Sequence, residues 1–334
     1  MKKPLLKILV QCGLALLLVL LLLTLGDVSQ LAHLSEIHWE FVLLVFLSNV
    51  GFTLAHNFRW KEIVDNLSGQ KGSPFFSLYR SLVDSYAIGK IIPMDVSLLG
   101  LRSYYLKRFQ NLPMSTAIFS VLLDRFLDLL LFLTMALPSF LLISQAASAT
   151  QAMLILLLLL ILQGFVILWK KGETFHFFLF LFRTFLVRWL SKIPFLGTRI
   201  SEGMKEEGEI HPFDLASVVQ IMGWNHIKYF FLCLRFFFTG LALGIQIPLV
   251  KSFFFIPFVQ LSGLINITPG GLGVVEMGTY GALFLMGIPN SQILLFVFGQ
   301  RILLFSIFLS LFVLSHLFYF IHYRWRRLGD LRND

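Results

Sequence analysis

Long apolar runs separated by short polar stretches dominate this chain. Each run is close to the length of about 20 residues that an α-helix needs to cross a bilayer. The runs predict six full spans, at residues 8–25 and 39–58, twice within 129–169, once within 213–247, and at 293–319. We therefore expect an all-α, multi-pass (polytopic) membrane protein.

Two weaker apolar segments predict re-entrant hairpins. Residues 75–110 contain Arg80, Asp84 and Lys90, and basic residues flank the apolar part on both sides. Because Lys and Arg mark the cytoplasmic side, the segment between these flanks is expected to enter the membrane and return. A partly exposed interfacial helix is the alternative. Residues 252–287 predict a second hairpin, which is broken at Pro269.

The distribution of charge sets the expected orientation. Residues 175–190 form an amphipathic pattern and residues 192–211 are rich in charge. Together they predict an interfacial helix and a linker, at about 172–212, on the cytoplasmic side. The basic tail at 324–327 is also placed there. We expect both termini in the cytoplasm and the protein in a bacterial-type cytoplasmic (inner) membrane.

The same pattern of prolines and arginine occurs twice, 176 residues apart. Pro93, Pro113 and Arg125 correspond, without a gap, to Pro269, Pro289 and Arg301. Chance is the alternative explanation, because these residue types are few. We expect a first membrane repeat at 1–143 and a second at 144–334, each with three spans and one hairpin. An odd number of crossings inverts the second copy, and transporters of this kind bind substrate where the copies meet.

Composition excludes a soluble domain. The chain is 57% hydrophobic and 13% charged, with a mean hydropathy of +0.82, whereas soluble domains carry about a quarter charged residues. The net charge of +9 comes from basic residues at helix ends, so anionic lipid headgroups explain it and no nucleic-acid partner is expected. Cys12 and Cys233 both lie in apolar segments, which indicates neither a disulfide framework nor a thiolate metal site.

The most specific local sequence is Thr-Pro-Gly-Gly-Leu-Gly-Val-Val-Glu at residues 268–276. Pro269 with Gly270, Gly271 and Gly273 breaks a helix and opens a small space. Glu276 follows in the first turns of the next helix, whose N-terminal N–H groups favour an anionic headgroup. The glutamate itself is suited to pair with a cation. A Pro-Gly kink in a packed helix is the alternative.

Charged side chains inside apolar sequence are the candidate ligands. Asp124, Arg125 and Asp128 lie on one helix, and a lone charge at the bilayer centre costs about 2.5–3.5 kcal/mol on insertion scales. We expect these groups to pair with one another or to line a wet cavity; a structural ion pair is the alternative. Arg301 has no acid nearby in sequence, so Glu276 or a lipid phosphate is its expected partner.

A further polar group consists of Asn225, His226 and Lys228 in an otherwise apolar stretch. These side chains either face the site or extend to the membrane interface. The sequence leaves both possibilities open.

These residues resemble the flippase-like membrane domain of the lysylphosphatidylglycerol synthase family. The family's Pro-Gly-Gly-Leu-Gly-x-x-Glu break is matched from Pro269 to Glu276, and its downstream arginine by Arg301. Residues 124–128 resemble its acidic-Arg-x-x-Asp signature. The resemblance covers residues 5–322, and the soluble synthase domain has no counterpart in the 334 residues. One departure is the first break at 93–100, which has a single glycine and an early acid, Asp95.

The resemblance implies a transporter that moves anionic or lipid-linked headgroups between leaflets. Arg125 and Arg301 are expected to hold the headgroup, with Glu276 and Asp128 balancing their charge. The other expected site residues are Asp124, Gly270, Gly271, Gly273, Arg102 and Asn225. Membrane lipids are the expected partners; no catalytic residue, cofactor or metal is expected. The alternatives are a membrane enzyme acting on a lipid phosphate through one of these carboxylates, and a non-catalytic partner of a separate lipid synthase.

Overall fold

The computed structural model of this protein describes residues 2–25, 28–69, 72–169, 173–190, 213–264 and 268–333. Within these residues the chain is helical and contains no strand. The α-helices are α1 (Lys2–Leu25), α2 (Trp39–Ser68), α3 (Phe75–Ile88), α4 (Met94–Gln110), α5 (Met114–Ile143), α6 (Ala149–Trp169), α7 (Glu173–Leu190), α8 (Leu215–Ala242), α9 (Leu249–Leu264), α10 (Val274–Leu285) and α11 (Asn290–Asn333). Short 3₁₀ helices occupy Val28–Ser35 and Pro269–Gly271. The predicted linker at 192–211 lies outside the described residues.

Local sequence explains where several helices begin and end. Pro93 and Pro113 stand immediately before α4 and α5, where the missing proline N–H removes no intrahelical hydrogen bond. Asp214 precedes α8, and its carboxylate accepts a hydrogen bond from the Ser217 N–H at 2.7 Å, as helix-capping residues do. Gly69 ends α2 with a φ of 65°, a left-handed conformation that glycine adopts without steric cost.

The expectation of an all-α membrane protein is confirmed. Four helices in the described part of the chain are long and apolar enough to cross a membrane: α2, α5, α6 and the residues Asn290–Ile321 of α11. The other two predicted spans are also helical, as α1 and α8. The α6 helix buries only Ala152 and Leu156, so most of its surface is available to lipid.

Four helices, α1, α2, α5 and α11, are longer than their apolar runs predict, and in α2 and α5 the added residues are largely packed inside the protein. The α5 helix begins at Met114 rather than near residue 129, and α2 continues to Ser68 rather than ending near residue 58. Both extensions carry charged residues, which lowered the local hydropathy. Asp124 in α5 and Arg59 in α2 are nevertheless fully buried, because they pair with each other.

The order of helices repeats with the same offset as the prolines. Helices α2 to α5 are followed, after α6 and α7, by α8 to α11, and both α8 and α11 begin 176 residues after α2 and α5. Residues 75–110 form the helix pair α3–α4 and residues 249–285 the pair α9–α10. Whether these pairs enter a membrane and return stays a prediction.

The helices α2 to α5 and α8 to α11 pack against each other in a reciprocal way. The α2 and α8 helices run antiparallel: the His38 N–H donates to the Ala242 carbonyl at 3.0 Å, and towards the other end the rings of Phe58 and Trp224 stack at 4.6 Å. In addition, α5 packs against α9, while α11 packs against α3. The long helix of each set therefore contacts the helix pair of the other set.

Candidate functional site

A cavity of about 190 Å³ lies where the tips of the two helix pairs meet α5, α8 and α11. The tip of α3–α4 contributes Lys90, Met94 and Asp95, and that of α9–α10 contributes Gly270 and Gly271. The charged lining consists of five basic and two acidic side chains: Lys90, Arg125, Lys228, Arg235, Arg301, Asp95 and Asp128. We call this space the cationic cavity.

The two tips touch at Gly270. Its N–H donates to the Ile92 carbonyl at 3.3 Å, and its own carbonyl accepts from Arg301 Nη2 at 3.0 Å. A Cβ at this position would stand 2.5 Å from the Lys90 carbonyl oxygen, and the backbone φ is +59°. Only glycine allows this approach without strain.

Gly270→Ala is therefore expected to lower the free energy of unfolding by about 1–3 kcal/mol, the range for a strained backbone position. The Lys90 carbonyl is backbone, so it cannot rotate away, and the tips must separate. Thermal unfolding in detergent measures the effect. Gly100→Ala is the matched control, because a Cβ there meets nothing within 4 Å and alanine favours helix. Equal stability of the two variants would contradict the contact between the tips.

Glu276 forms the ion pair expected for it, with Arg301 Nη1. Its other carboxylate oxygen accepts from the Gly273 N–H at 2.8 Å, which caps the start of α10. Gly273 also lies against α1, since a Cβ there would stand 2.5 Å from Leu18 Cβ. Glu276 and Gly273 therefore hold the tip of α9–α10 in place on the side away from the cavity, while Arg301 reaches the cavity.

A buried charge network lies beside the cavity and centres on Asp124. Its carboxylate accepts from Arg59 Nε at 2.9 Å and from Arg102 Nη1 at 2.8 Å. His56 Nε2 lies 2.6 Å away. The Arg102 guanidinium stacks 3.8 Å from the ring centre of Trp60. The first three partners come from α2 and α4, so this network ties the first helix pair to α5.

Asp128, one helical turn further along α5, connects this network to the cavity. It accepts from Arg59 Nη1 at 2.7 Å and from Lys228 Nζ, and Arg125 Nη1 lies 3.7 Å away. Asn225 accepts a hydrogen bond from Arg59 Nη1 and donates to the Leu127 carbonyl at 3.2 Å. Two charges of α5 thus bind cations from α2, α4 and α8.

The family model described as "Lysylphosphatidylglycerol synthase TM region" matches residues 8–328. The chain belongs to this family. Comparisons with curated proteins and with solved structures gave no match.

The structure places half of the expected site residues in the cavity lining. Those are Arg125, Arg301, Asp128, Gly270 and Gly271. The others, Asp124, Glu276, Gly273, Arg102 and Asn225, lie behind it and hold lining residues or helices in place.

Sequence reasoning missed two cations of the lining as site residues, Lys90 and Arg235. Arg235 lies 176 residues after Arg59, the spacing at which the prolines recur, and that correspondence was the available signal. Lys90 precedes Pro93 at the first break. Lys228, for which two locations were open, lines the cavity and binds Asp128.

Three carboxylates at or beside the cavity are occupied by hydrogen-bond donors. Asp124, Asp128 and Glu276 each accept at least two hydrogen bonds. Within the described residues, no three His, Cys, Asp or Glu side chains come together as metal ligands. Asp95, the other acid of the lining, is half-exposed and lies 4.0 Å from Arg125 Nε. The excess of basic over acidic side chains makes the lining suited to holding an anion.

Proposed function

We propose that the protein carries an anionic lipid headgroup between the leaflets of a membrane, through the cationic cavity. The observation that supports this function is a lining with five basic and two acidic side chains at the meeting point of two broken helices. A buried cavity with this excess of cations favours an anion. Apolar residues such as Phe132, Leu232 and Val259 complete the lining and suit the glycerol or upper acyl part of a lipid.

Helix termini add to the positive potential. Met94 and Asp95 open α4, and Val275 is in the first turn of α10. The N-termini of both helices therefore lie at the cavity, where their positive dipole ends favour a phosphate. Broken helices that turn their N-termini towards an anionic substrate are a recurring design in transporters.

We propose further that the two halves form inverted repeats. The antiparallel packing of α2 on α8 and the exchanged contacts α5–α9 and α11–α3 support this arrangement. The cavity would then lie at the interface between the repeats, and rocking of one half against the other would open it to each leaflet in turn. The proposed setting is a cytoplasmic membrane, with both termini on the cytoplasmic side.

The two alternatives receive less support. An enzyme acting on a lipid phosphate needs a carboxylate that can accept or donate a proton, whereas Asp124, Asp128 and Glu276 are bound by cations. A non-catalytic partner of a synthase needs no cavity. The anion-binding lining favours transport over both.

Reconstitution into vesicles tests the proposal. We expect the purified protein to speed the movement of a fluorescent phosphatidylglycerol between leaflets, measured as the fraction that an impermeant quencher reaches. A fluorescent phosphatidylcholine should move no faster than in protein-free vesicles, which controls for leaky bilayers. No acceleration of the anionic lipid in either direction, with the protein folded, would refute transport. Conversion of the lipid to a new product in detergent would favour the enzyme.

A further inference from the structure

Two cations of the cavity have no carboxylate partner among the described residues. Arg235 is 7% exposed, and its Nη1 donates to Asn49 Oδ1 at 3.2 Å while its Nε has no hydrogen-bond acceptor. Lys90 Nζ lies 5.1 Å from the ring centre of Phe308 and forms no ion pair. Both side chains line the cavity.

The other cations of the lining are at least partly balanced. Arg301 is paired with Glu276, Lys228 with Asp128, and Arg125 lies 3.7 Å from Asp128 and 4.0 Å from Asp95. Glu276, behind the tip of α9–α10, is already bound by Arg301 and the Gly273 N–H.

A charge without a counter-ion is costly where it is shielded from water. Arg235 is buried and Lys90 is partly buried, so an occupant that neutralises them is favoured. Lys90 and Arg235 are both basic side chains of one small cavity, so in their charged forms they repel each other. A ligand with a single negative charge would leave one of the two uncompensated. A phosphate monoester carries about −1.5 to −2 at pH 7 and offers three acceptor oxygens, which matches two unpaired cations.

We propose that the cavity selects a phosphate monoester headgroup, with Lys90 and Arg235 as its ligands, over the singly charged phosphodiester of a common phospholipid. The proposal rests on the proposed function and specifies its substrate class. The first ligand comes from the tip of α3–α4 and the second from α8, so one dianionic group bridges two separate elements. Relief of their repulsion supplies the preference.

Binding to the purified full chain in a neutral detergent tests this selection. Dioleoyl phosphatidic acid and dioleoyl phosphatidylglycerol share acyl chains. The first has a phosphate monoester with a second negative charge, whereas the second has a singly charged phosphodiester and an additional glycerol. We expect the protein to bind the phosphatidic acid about tenfold more tightly, since one further charge-assisted hydrogen bond contributes at least that factor. Competition monitored by native mass spectrometry measures the ratio. Equal binding of the two lipids would overturn the proposal.

Variants separate charge from headgroup size. Lys90→Gln and Arg235→Gln should each bring the ratio of affinities for phosphatidic acid and phosphatidylglycerol close to one. Arg108→Gln is the control: it removes an exposed cation at the end of α4 and should leave this ratio unchanged. A preference that persists in both cavity variants would mean that size selects the lipid, and would refute the assignment. Because each variant removes an uncompensated charge, neither should lower the thermal unfolding temperature; a marked decrease would indicate that these cations serve stability.

Inorganic phosphate separates a lipid site from a free-anion site. We expect millimolar phosphate to displace phosphatidic acid only weakly, because it lacks the apolar part. Displacement at the same concentration as the lipid would overturn the lipid assignment. The binding ratio is independent of the vesicle assay, which is run with fluorescent phosphatidic acid as well as phosphatidylglycerol. Selective binding without leaflet transfer of either lipid would refute transport alone. Transfer without selective binding would refute this inference alone.

Discussion

Asp124→Asn is expected to lower the free energy of unfolding by about 3–5 kcal/mol, the cost of removing one partner from a buried ion pair. Asp124 is 0% exposed and is shared by Arg59, Arg102 and His56. Asparagine keeps the shape but removes the negative charge. Two guanidinium groups would then be buried with too few acceptors, and the contacts of α2 and α4 with α5 would weaken together.

Thermal unfolding in detergent measures this loss, with Asp95→Asn as the control. Asp95 is an acid at the same cavity, but its side chain is 50% exposed, so its replacement should change stability little. A second variant tests the cause. Asp124→Asn combined with Arg102→Gln removes one of the orphaned cations and should recover part of the loss. If Asp124→Asn is as stable as the unmodified protein, the buried network does not hold these helices together.

Arg301→Gln is expected to reduce leaflet transfer of an anionic lipid about a hundredfold. The guanidinium reaches the cavity while it binds Glu276 and the Gly270 carbonyl. A charge-assisted contact to a phosphate contributes up to about 3 kcal/mol, and 1.4 kcal/mol corresponds to a factor of ten. The vesicle assay with fluorescent phosphatidylglycerol measures the rate.

A lower transfer rate that results from misfolding must be distinguished from one that results from the loss of a headgroup-binding side chain. Arg301→Gln alone leaves the Glu276 carboxylate buried without its cation, so the double variant Glu276→Gln with Arg301→Gln removes both charges and should unfold at a higher temperature than the single variant. Its transfer rate should remain low. Arg301→Lys keeps the charge and should retain more activity than either. A folded double variant with the original rate would exclude Arg301 as a headgroup ligand.

The helices and their order were predictable because both depend on local sequence. Apolar runs must form helices in lipid, where each backbone N–H and C=O needs an internal partner. Prolines at 93 and 113 marked two helix starts in the same way that Pro269 marked a break. The length of an apolar run gave the wrong helix boundary only where charged residues interrupt the helix, as in the first turns of α5. A hydropathy average counts every charge as polar, even one that a partner distant in sequence neutralises.

The site was predictable only in part, for a related reason. The sequence located Arg125, Asp128 and Arg301 as charges in apolar surroundings, where an unpaired charge is expensive. It did not show that Asp124 binds Arg59 and Arg102, since these partners lie 65 and 22 residues away. A substrate contact of Asp124 stays a prediction, and the structure adds that its carboxylate oxygens accept from Arg59 and Arg102.

The sequence by itself determined that this is a helical membrane protein with a repeated order of helices, and it supplied the motif that carries the family resemblance. Lipid imposes those features on each segment separately, through hydrophobicity and backbone hydrogen bonding. Only the tertiary structure decided which charged side chains form ion pairs and which have no partner of opposite charge in the described part of the chain. That outcome depends on α2, α4, α8 and both tips meeting around α5 and α11, and it leaves Lys90 and Arg235 as the unbalanced cations of the cavity.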